Sequence, residues 1–484
     1  MFNIRYLLLF PIFFMFFPHW AIFYTSTSYM SFSFLFRIIF VPTLLFFEKK
    51  RLVKLFIHIY KKTPFKYLFA FLVWIIISGI CSVLLKNYSI GNFFYKIIFG
   101  FIISCMFTYV FTFLLFPKYF SIKTLWKIVI IGNFVIFIIG IIEGIAKAFD
   151  INIIINFVDF MINQRTWLYE GSIPYLDRVH STLAEPGWLG SFICFNIPIL
   201  YSLMNSPYKL FKNKIVNFVF KKITPYLAII NMFLTKSPIW LIIFLLITGI
   251  YYFQDTQKFI KKHFTLVFAI TLLSVITVFS LVLLIANSVI SIQGTYLYRI
   301  IIFLYNCFDL EQLVLAEPSM ANRIISYIIT MSVFIEHPII GIGYQNTENV
   351  IMPIIETNQI PYTNEIKVNY ARSIINNTQS VHINGAIFYN TLADTGIIGF
   401  LLLYLFFIKS YIFIGKLMKY MNGMEKDFAK GISFSILTII ITSIYDTHLS
   451  VVYLWFLFGT VISLYLSIRF RSMIYKSPKI SATF

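Results

Sequence analysis

The sequence predicts an all-α polytopic membrane protein of about twelve transmembrane helices. Three observations carry this expectation. Hydrophobic residues make up 59% of the 484-residue chain and charged residues 12%, against roughly 25% charged in a soluble protein. Phenylalanine alone supplies 57 residues, and such a chain cannot cover a globule with polar surface. Apolar runs recur at lengths close to the ~17–25 residues that a spanning helix needs. Cys81, Cys105, Cys194 and Cys307 show neither paired nor metal-type spacing, so a disulfide framework or zinc site has no support.

The apolar segments run roughly over 6–24, 29–47, 65–85, 92–116, 125–148, 187–204, 224–235, 238–253, 264–287, 385–408, 431–445 and 450–468. The seventh is short, and Lys236-Ser237-Pro238 breaks it from the eighth. The pair is either a tight hairpin, giving twelve spans, or one kinked helix, giving eleven and inverting everything after it. With twelve, most of the 39 Lys and Arg fall on one face: Arg5, the 49–66 cluster, Lys118 to Lys127, Lys209 to Lys222, Lys258 to Lys262, Lys409 to Lys430 and Arg469 to Lys479. The positive-inside rule makes that face, with both termini, cytoplasmic. Lys-rich loops beside anionic lipid then account for the net charge of +20 without a nucleic-acid partner. The first apolar run lacks a small-residue cleavage site and reads as an uncleaved span of a single membrane domain, 1–484.

The outer face carries two long loops, about 149–185 and 288–384. Loops of such length are uncommon unless they are functional or folded. Both are net acidic, and their cations are mostly Arg, the forked donor suited to phosphate and carboxylate. Ordinary ion pairing within acidic loops is the plain alternative.

Three constellations stand out. In Arg178-Val-His180-Ser-Thr-Leu-Ala-Glu185-Pro186-Gly187-Trp188, Pro186 marks a helix start. An outward helix N-terminus offers free N–H groups and partial positive charge to an anion that Arg178 could share. Glu185 is either a dipole-matching carboxylate or one that orients a substrate hydroxyl.

The second constellation runs from Arg323 to His337-Pro338 and Gly341-Ile-Gly343. Fourteen residues reach only about 21 Å, too short to cross, so a short interfacial or re-entrant helix is expected. His337 precedes Pro338 and ends that helix, because the residue before proline avoids the α region.

The third is Ser380-Val-His382-Ile-Asn384, followed by Gly385 and the run to Gly399. His382 lies at an outward helix N-terminus, where a neutral imidazole can act as general base. Glu143 and Asp394 are further candidates, because charge inside a membrane is costly. Lys236-Ser237 and Asp446-Thr-His448 fall at outer ends of spans. No P-loop, GxSxG or HExxH motif appears. The first outer loop has no acid, which argues against a metal-dependent enzyme with an acidic motif there. No metal or other cofactor is expected.

The second and third constellations, in this order and spacing, resemble the bacterial O-antigen polymerase and O-antigen ligase superfamily. Arg323 stands about fourteen residues before His337-Pro338. Gly341-x-Gly343, a polar loop, a His-Asn pair and a Gly-Ile-Ile-Gly run follow. The Arg178 to Pro186 segment and the Lys236-Ser237 break are similar too, so the resemblance covers roughly 170–400. One departure stands out, since His382 and Asn384 are separated by Ile383 where the family has them adjacent.

The resemblance implies a GT-C-like membrane glycosyltransferase of the bacterial inner (plasma) membrane. Its donor would be an undecaprenyl-diphosphate-linked oligosaccharide, used on the periplasmic side without metal. Arg178, Arg323 and Arg372 would bind the diphosphate, with His180, His337 and Asn384 lining the site. His382 or Glu185 would take the acceptor proton. A polymerase is the first expectation, with membrane lipid and a chain-length regulator protein as partners. A ligase acting on lipid A core, a capsule or exopolysaccharide polymerase, and a lipid-linked oligosaccharide flippase or transporter are the alternatives.

Overall fold

A computed structural model describes residues 4–16, 21–24, 29–86, 94–162, 178–183, 186–262, 306, 309–316, 318–344, 346–375, 386–445 and 452–475. Nearly all of them are helical. The first apolar run is not one span: α1 (Ile4–Leu7) and α2 (Phe10–Phe16) are short, and strands β1 (Ala21–Tyr24) and β2 (Tyr29–Ser31) pair antiparallel. Apart from this small pair the regular elements are helical, consistent with the all-α expectation.

α3 (Phe32–Lys62) contains the second run and continues through the basic stretch, with non-helical backbone at Glu48. The carboxylate of Glu48 accepts from the Tyr119 hydroxyl at 2.8 Å and from Lys118 at 3.1 Å. There follow α4 (Phe65–Lys86), the π-wound α5 (Phe94–Phe107), α6 (Thr108–Tyr119), α7 (Ile122–Ala148), α8 (Asn152–Ile162) and α9 (Pro186–Asn205). Beyond them lie α10 (Thr224–Leu234), α11 (Pro238–Lys262), α12 (Leu310–Ala316), α13 (Pro318–Glu336), α14 (Ile351–Thr357), α15 (Asn364–Ile375), α16 (Ile387–Leu417), α17 (Gly423–Thr442) and α18 (Val452–Tyr475).

Six helices among the described residues are long and apolar enough to cross a membrane: Phe65–Leu84, Phe101–Tyr119, Ile122–Ala148, Pro186–Asn205, Ile387–Tyr420 and Tyr453–Arg471. They match six of the twelve apolar segments. The ninth segment, 264–287, lies outside the described residues. Burial sorts these helices. Those of α9 and α18 are 83% buried, whereas those of α4 and α7 are 39% buried and that of α16 is 33% buried. A helix apolar all round and wrapped by others is central. The peripheral ones leave Leu84, Ile142, Ile145 and Ile412 exposed, as lipid contact requires. The chain is a multi-pass membrane protein.

Packing decides the seventh and eighth segments. Trp126 at the start of α7 packs on Phe428, and Ser202 at the end of α9 donates to the carbonyl of Asp427. Both residues meet the start of α17, so α7 and α9 are antiparallel. α10 follows α7, with Asn231 donating to Phe137 O and Leu234 packing beside Gly144. α11 follows α9, with Trp240 on Gly190 and Tyr251 against Tyr201. The chain therefore reverses at Thr235–Ser237, where Lys236 adopts φ 46°. α10 and α11 form a hairpin, not a kinked helix.

α12 to α15 build a small second core from Leu313, Ala321, Ile325, Ile329, Ile351, Met352, Ile355 and Ile366. α13 lies along α16 and runs the same way. Tyr327 stacks on Tyr389 near the start of α16, and Val333 meets Ala393 further in.

Candidate functional site

The end of the bundle opposite the Lys-rich segments gathers the residue 178–183 segment, the start of α9, the 235–237 turn, α13 and the end of α17. Glu143, 1% exposed on α7, organises the first of these. Its Oε1 meets Lys147 Nζ at 2.6 Å and His180 Nε2 at 3.2 Å. Its Oε2 accepts the backbone N–H groups of His180 at 3.2 Å and Ser181 at 2.7 Å. A buried carboxylate persists only when charge and hydrogen bonds replace its water, and here all four partners do so.

The other ring nitrogen of His180 lies 3.1 Å from Ser181 O. Carboxylate and carbonyl both only accept, so both contacts are hydrogen bonds together when both ring nitrogens carry protons. Ser181 holds φ 56°, a conformation that costs a non-glycine residue energy unless its surroundings impose it.

Arg178 is buried beside this cluster. Its Nε–H donates to Thr235 O at 2.9 Å, its carbonyl accepts from Lys147 Nζ at 2.5 Å, and Val179 N–H donates to Leu234 O at 3.1 Å. The Arg178 segment is thus tied to the α10–α11 turn. One turn into α11, Trp240 packs so closely on Gly190 of α9 that a Cβ there would stand 2.8 Å from Trp240 Cβ. The Trp240 ring meets Tyr445 edge to face at 6.3 Å. The guanidinium of Arg323 lies over that same Tyr445 ring, 5.2 Å from its centroid, a cation–π contact that holds the cation without neutralising it. Tyr327 donates its hydroxyl to Tyr445 O, and Tyr445 donates to Met320 Sδ at 3.3 Å. Arg178, the turn, Trp240, Tyr445 and Arg323 form one continuous wall around the start of α9.

His337 is not brought to Arg323. It closes the other end of α13, about 21 Å away along the axis, where its N–H donates to Val333 O and its carbonyl accepts from Gly341. The loop after it docks into a break in α16 at Gly396, whose φ is 65°. The carbonyls freed by that break are all satisfied. Ala393 O accepts from Ile342 N–H, Asp394 O from Gly343 N–H and Ser78 Oγ, and Thr395 O from Trp74 Nε1. Asp394 Oδ1 accepts from Thr347 at 2.6 Å. Asp394, Glu143 and the two glycines of the 341–343 pair therefore have structural duties.

Arg372 is on α15, and its side chain lies outside the description. Glu185, His382, Asn384 and the Asp446–His448 stretch also lie outside the described residues. Sequence reasoning missed Lys147, Tyr445 and Trp240. Only Lys147 had a visible signal, its spacing of four residues from Glu143 inside an apolar helix. Among the described residues no three His, Cys, Asp or Glu side chains group as metal ligands. A cavity of about 320 Å³ lies at the opposite, basic end between α16 and α17.

The fold and this cation-bearing wall define a multi-pass helical membrane protein with a polar site at one end of the bundle. Residues 226–404 match the family model described as O-Antigen ligase, a match consistent with the O-antigen polymerase and ligase superfamily. The match takes in α10, α11, α13 and the break in α16. It leaves out Glu143, Arg178, α9 and Tyr445. No curated protein matches the chain significantly.

Proposed function

We propose that the protein is an O-antigen polymerase that joins undecaprenyl-diphosphate-linked oligosaccharide repeat units on the periplasmic side of the bacterial inner membrane. The observation that carries this reading is the Arg323–Tyr445–Trp240 wall meeting the start of α9, beside Arg178. A hydroxyl of the acceptor sugar attacks the anomeric carbon of the donor, and a new glycosidic C–O bond forms. The bond to the diphosphate oxygen breaks with its electron pair, and the lipid diphosphate leaves. The hydroxyl proton goes to His382 or Glu185 as base.

A diphosphate needs little acid assistance, but its developing charge needs fixed cations, and Arg178 and Arg323 supply them. They speed the reaction only by holding the departing diphosphate more tightly than the intact ester. Arg372, Asn384 and His180 line the same site in this reading. His337 serves the end of α13.

The description of the matched family favours a second reading, a ligase transferring glycan to lipid A core. The interruption of the His382–Asn384 pair by Ile383 supports the polymerase. A gel of surface polysaccharide separates the two, using deletion cells complemented with wild type or Arg323→Ala. Loss of the ladder with one repeat still on core supports the polymerase. Loss of every repeat from core, with long glycan left on the lipid carrier, supports the ligase. A ladder that survives deletion sinks both and favours a flippase or transporter, which moves lipid-linked repeats without lengthening them.

A further inference from the structure

We propose that Trp240 is a substrate-positioning residue whose indole N–H binds an oxygen of the lipid-linked diphosphate at the start of α9. The inference rests on the diphosphate chemistry proposed above and adds a neutral donor to its cations.

Trp240 is 1% exposed, and among the described residues its Nε1–H has no hydrogen-bond acceptor. An indole N–H only donates, and leaving it buried and unpaired costs about 1–3 kcal/mol. Rotation cannot relieve the cost, because the ring is held on three sides. Its base sits on Gly190, Phe195 packs at 6.5 Å, and Tyr445 packs edge to face at 6.3 Å.

The position of the ring nitrogen beside the start of α9 suggests its partner. Nε1 lies 3.9 Å from the point where a Cβ on Gly187 would stand. Gly187 is the second residue of α9, a helix of 20 residues. Pro186 before it has no N–H, and the next amides of a helix start turn outward to an external acceptor. An anion there meets helix amides on one side and the Trp240 N–H on the other. Tyr445, against the same indole, carries Arg323 on its face, so the neutral donor and the cation belong to one wall. A hydrogen bond from a neutral donor to an anion is stronger than one between neutral groups. It also fixes one oxygen in space.

Trp126 supplies an internal control. Its indole nitrogen is also buried without an acceptor among the described residues, but it packs on Phe428 at the basic end of the bundle.

The test uses the full chain in lipid nanodiscs, labelled with ¹⁵N at its 7 Trp indoles, with farnesyl diphosphate as the probe. Trp240→Phe assigns the Trp240 signal and removes the donor together with part of the fused ring. The expected result is a saturable downfield shift of that signal, and binding about tenfold weaker in Trp240→Phe, with Trp126→Phe binding as wild type. Saturable binding that leaves the Trp240 signal unmoved and Trp240→Phe unimpaired would overturn this inference and leave the diphosphate reading standing. No saturable binding to the wild type overturns both. Should Trp240→Phe fail to fold, a wild-type titration in which none of the indole signals moves overturns the proposal by itself.

Discussion

The backbone N–H of Gly343 donates to the carbonyl of Asp394 at 2.8 Å, and this bond seats the loop after α13 in the break of α16. Irregular backbone inside a membrane bundle survives only where protein satisfies its polar groups. Ile342, Ser78, Trp74 and Pro338 complete that set around Gly396.

Gly396→Ala tests the seating. Gly396 holds φ 65°, and an added Cβ would come within 2.2 Å of Ile339 O, a backbone atom that cannot step aside. The substitution is expected to cost about 3 kcal/mol or more, read as a lower melting temperature in detergent. Gly415→Ala is the control, since nothing lies within 4 Å of its added Cβ. It should hold or slightly raise stability, because alanine favours helix. Equal melting of the two variants would contradict the docking described here.

How much of this was legible in the sequence follows from the range over which each signal acts. Pro186 opening α9 and His337-Pro338 closing α13 were readable, because proline sets backbone angles locally. The break at Gly396 was not, since residues around it are as apolar as any spanning helix and the groups that satisfy it come from α4 and the 337–344 loop. Glu143 was visible as a costly charge. Its partners in the 178–181 segment are joined to it only by the fold. The first run is legible only as apolar: Phe- and Ile-rich sequence suits helix and strand alike, and α2 and β1 both fall within it.

Removing Glu143 should be among the most damaging polar substitutions. Glu143→Ala leaves Lys147 and His180 buried without their carboxylate, and breaking a buried pair on one side costs about 3–5 kcal/mol. Glu143→Gln keeps the shape but not the charge, and should fall between. Adding Lys147→Met to Glu143→Gln removes the stranded cation and should recover at least about 1 kcal/mol. Thermal unfolding of these variants and of Lys147→Met alone measures this, and strict additivity in the double variant would argue against a shared cluster.

Glu48 gives the basic end a pH dependence. Burial pushes its pKa up, but hydrogen bonds from Tyr119 and Lys118 outweigh that and hold it below the usual carboxylate value. A lowered folded pKa means stability that is present above the ordinary carboxylate range and is lost as pH falls through the folded value. The group is partly solvated, so the contribution is at most about 1 kcal/mol. Melting temperatures taken from pH 6 down to about pH 3 should fall less steeply in Glu48→Gln than in wild type. Parallel profiles would remove Glu48 from the account.

Arg323 and Tyr445 make the sharpest test of the site. The guanidinium carbon of Arg323 lies over the Tyr445 ring, 5.2 Å from its centroid, and a cation–π contact leaves the charge of the guanidinium in place. Lysine could sit on the same ring, yet it lacks the planar fork that binds two oxygens at once. Arg323→Lys should therefore melt like wild type and lose about 10²- to 10³-fold in polymer formation, the scale of removing one aligned donor from developing charge. Tyr445→Phe keeps the ring and loses the hydroxyl bond to Met320, so it should polymerise near the wild-type rate. Tyr445→Leu removes the support and should behave like Arg323→Lys. If Tyr445→Leu polymerised normally while Arg323→Lys did not, the arginine would act without its ring, and Tyr445 would only fill space. If Arg323→Lys were fully active, a point charge would suffice at that position, and the diphosphate would have to be gripped elsewhere.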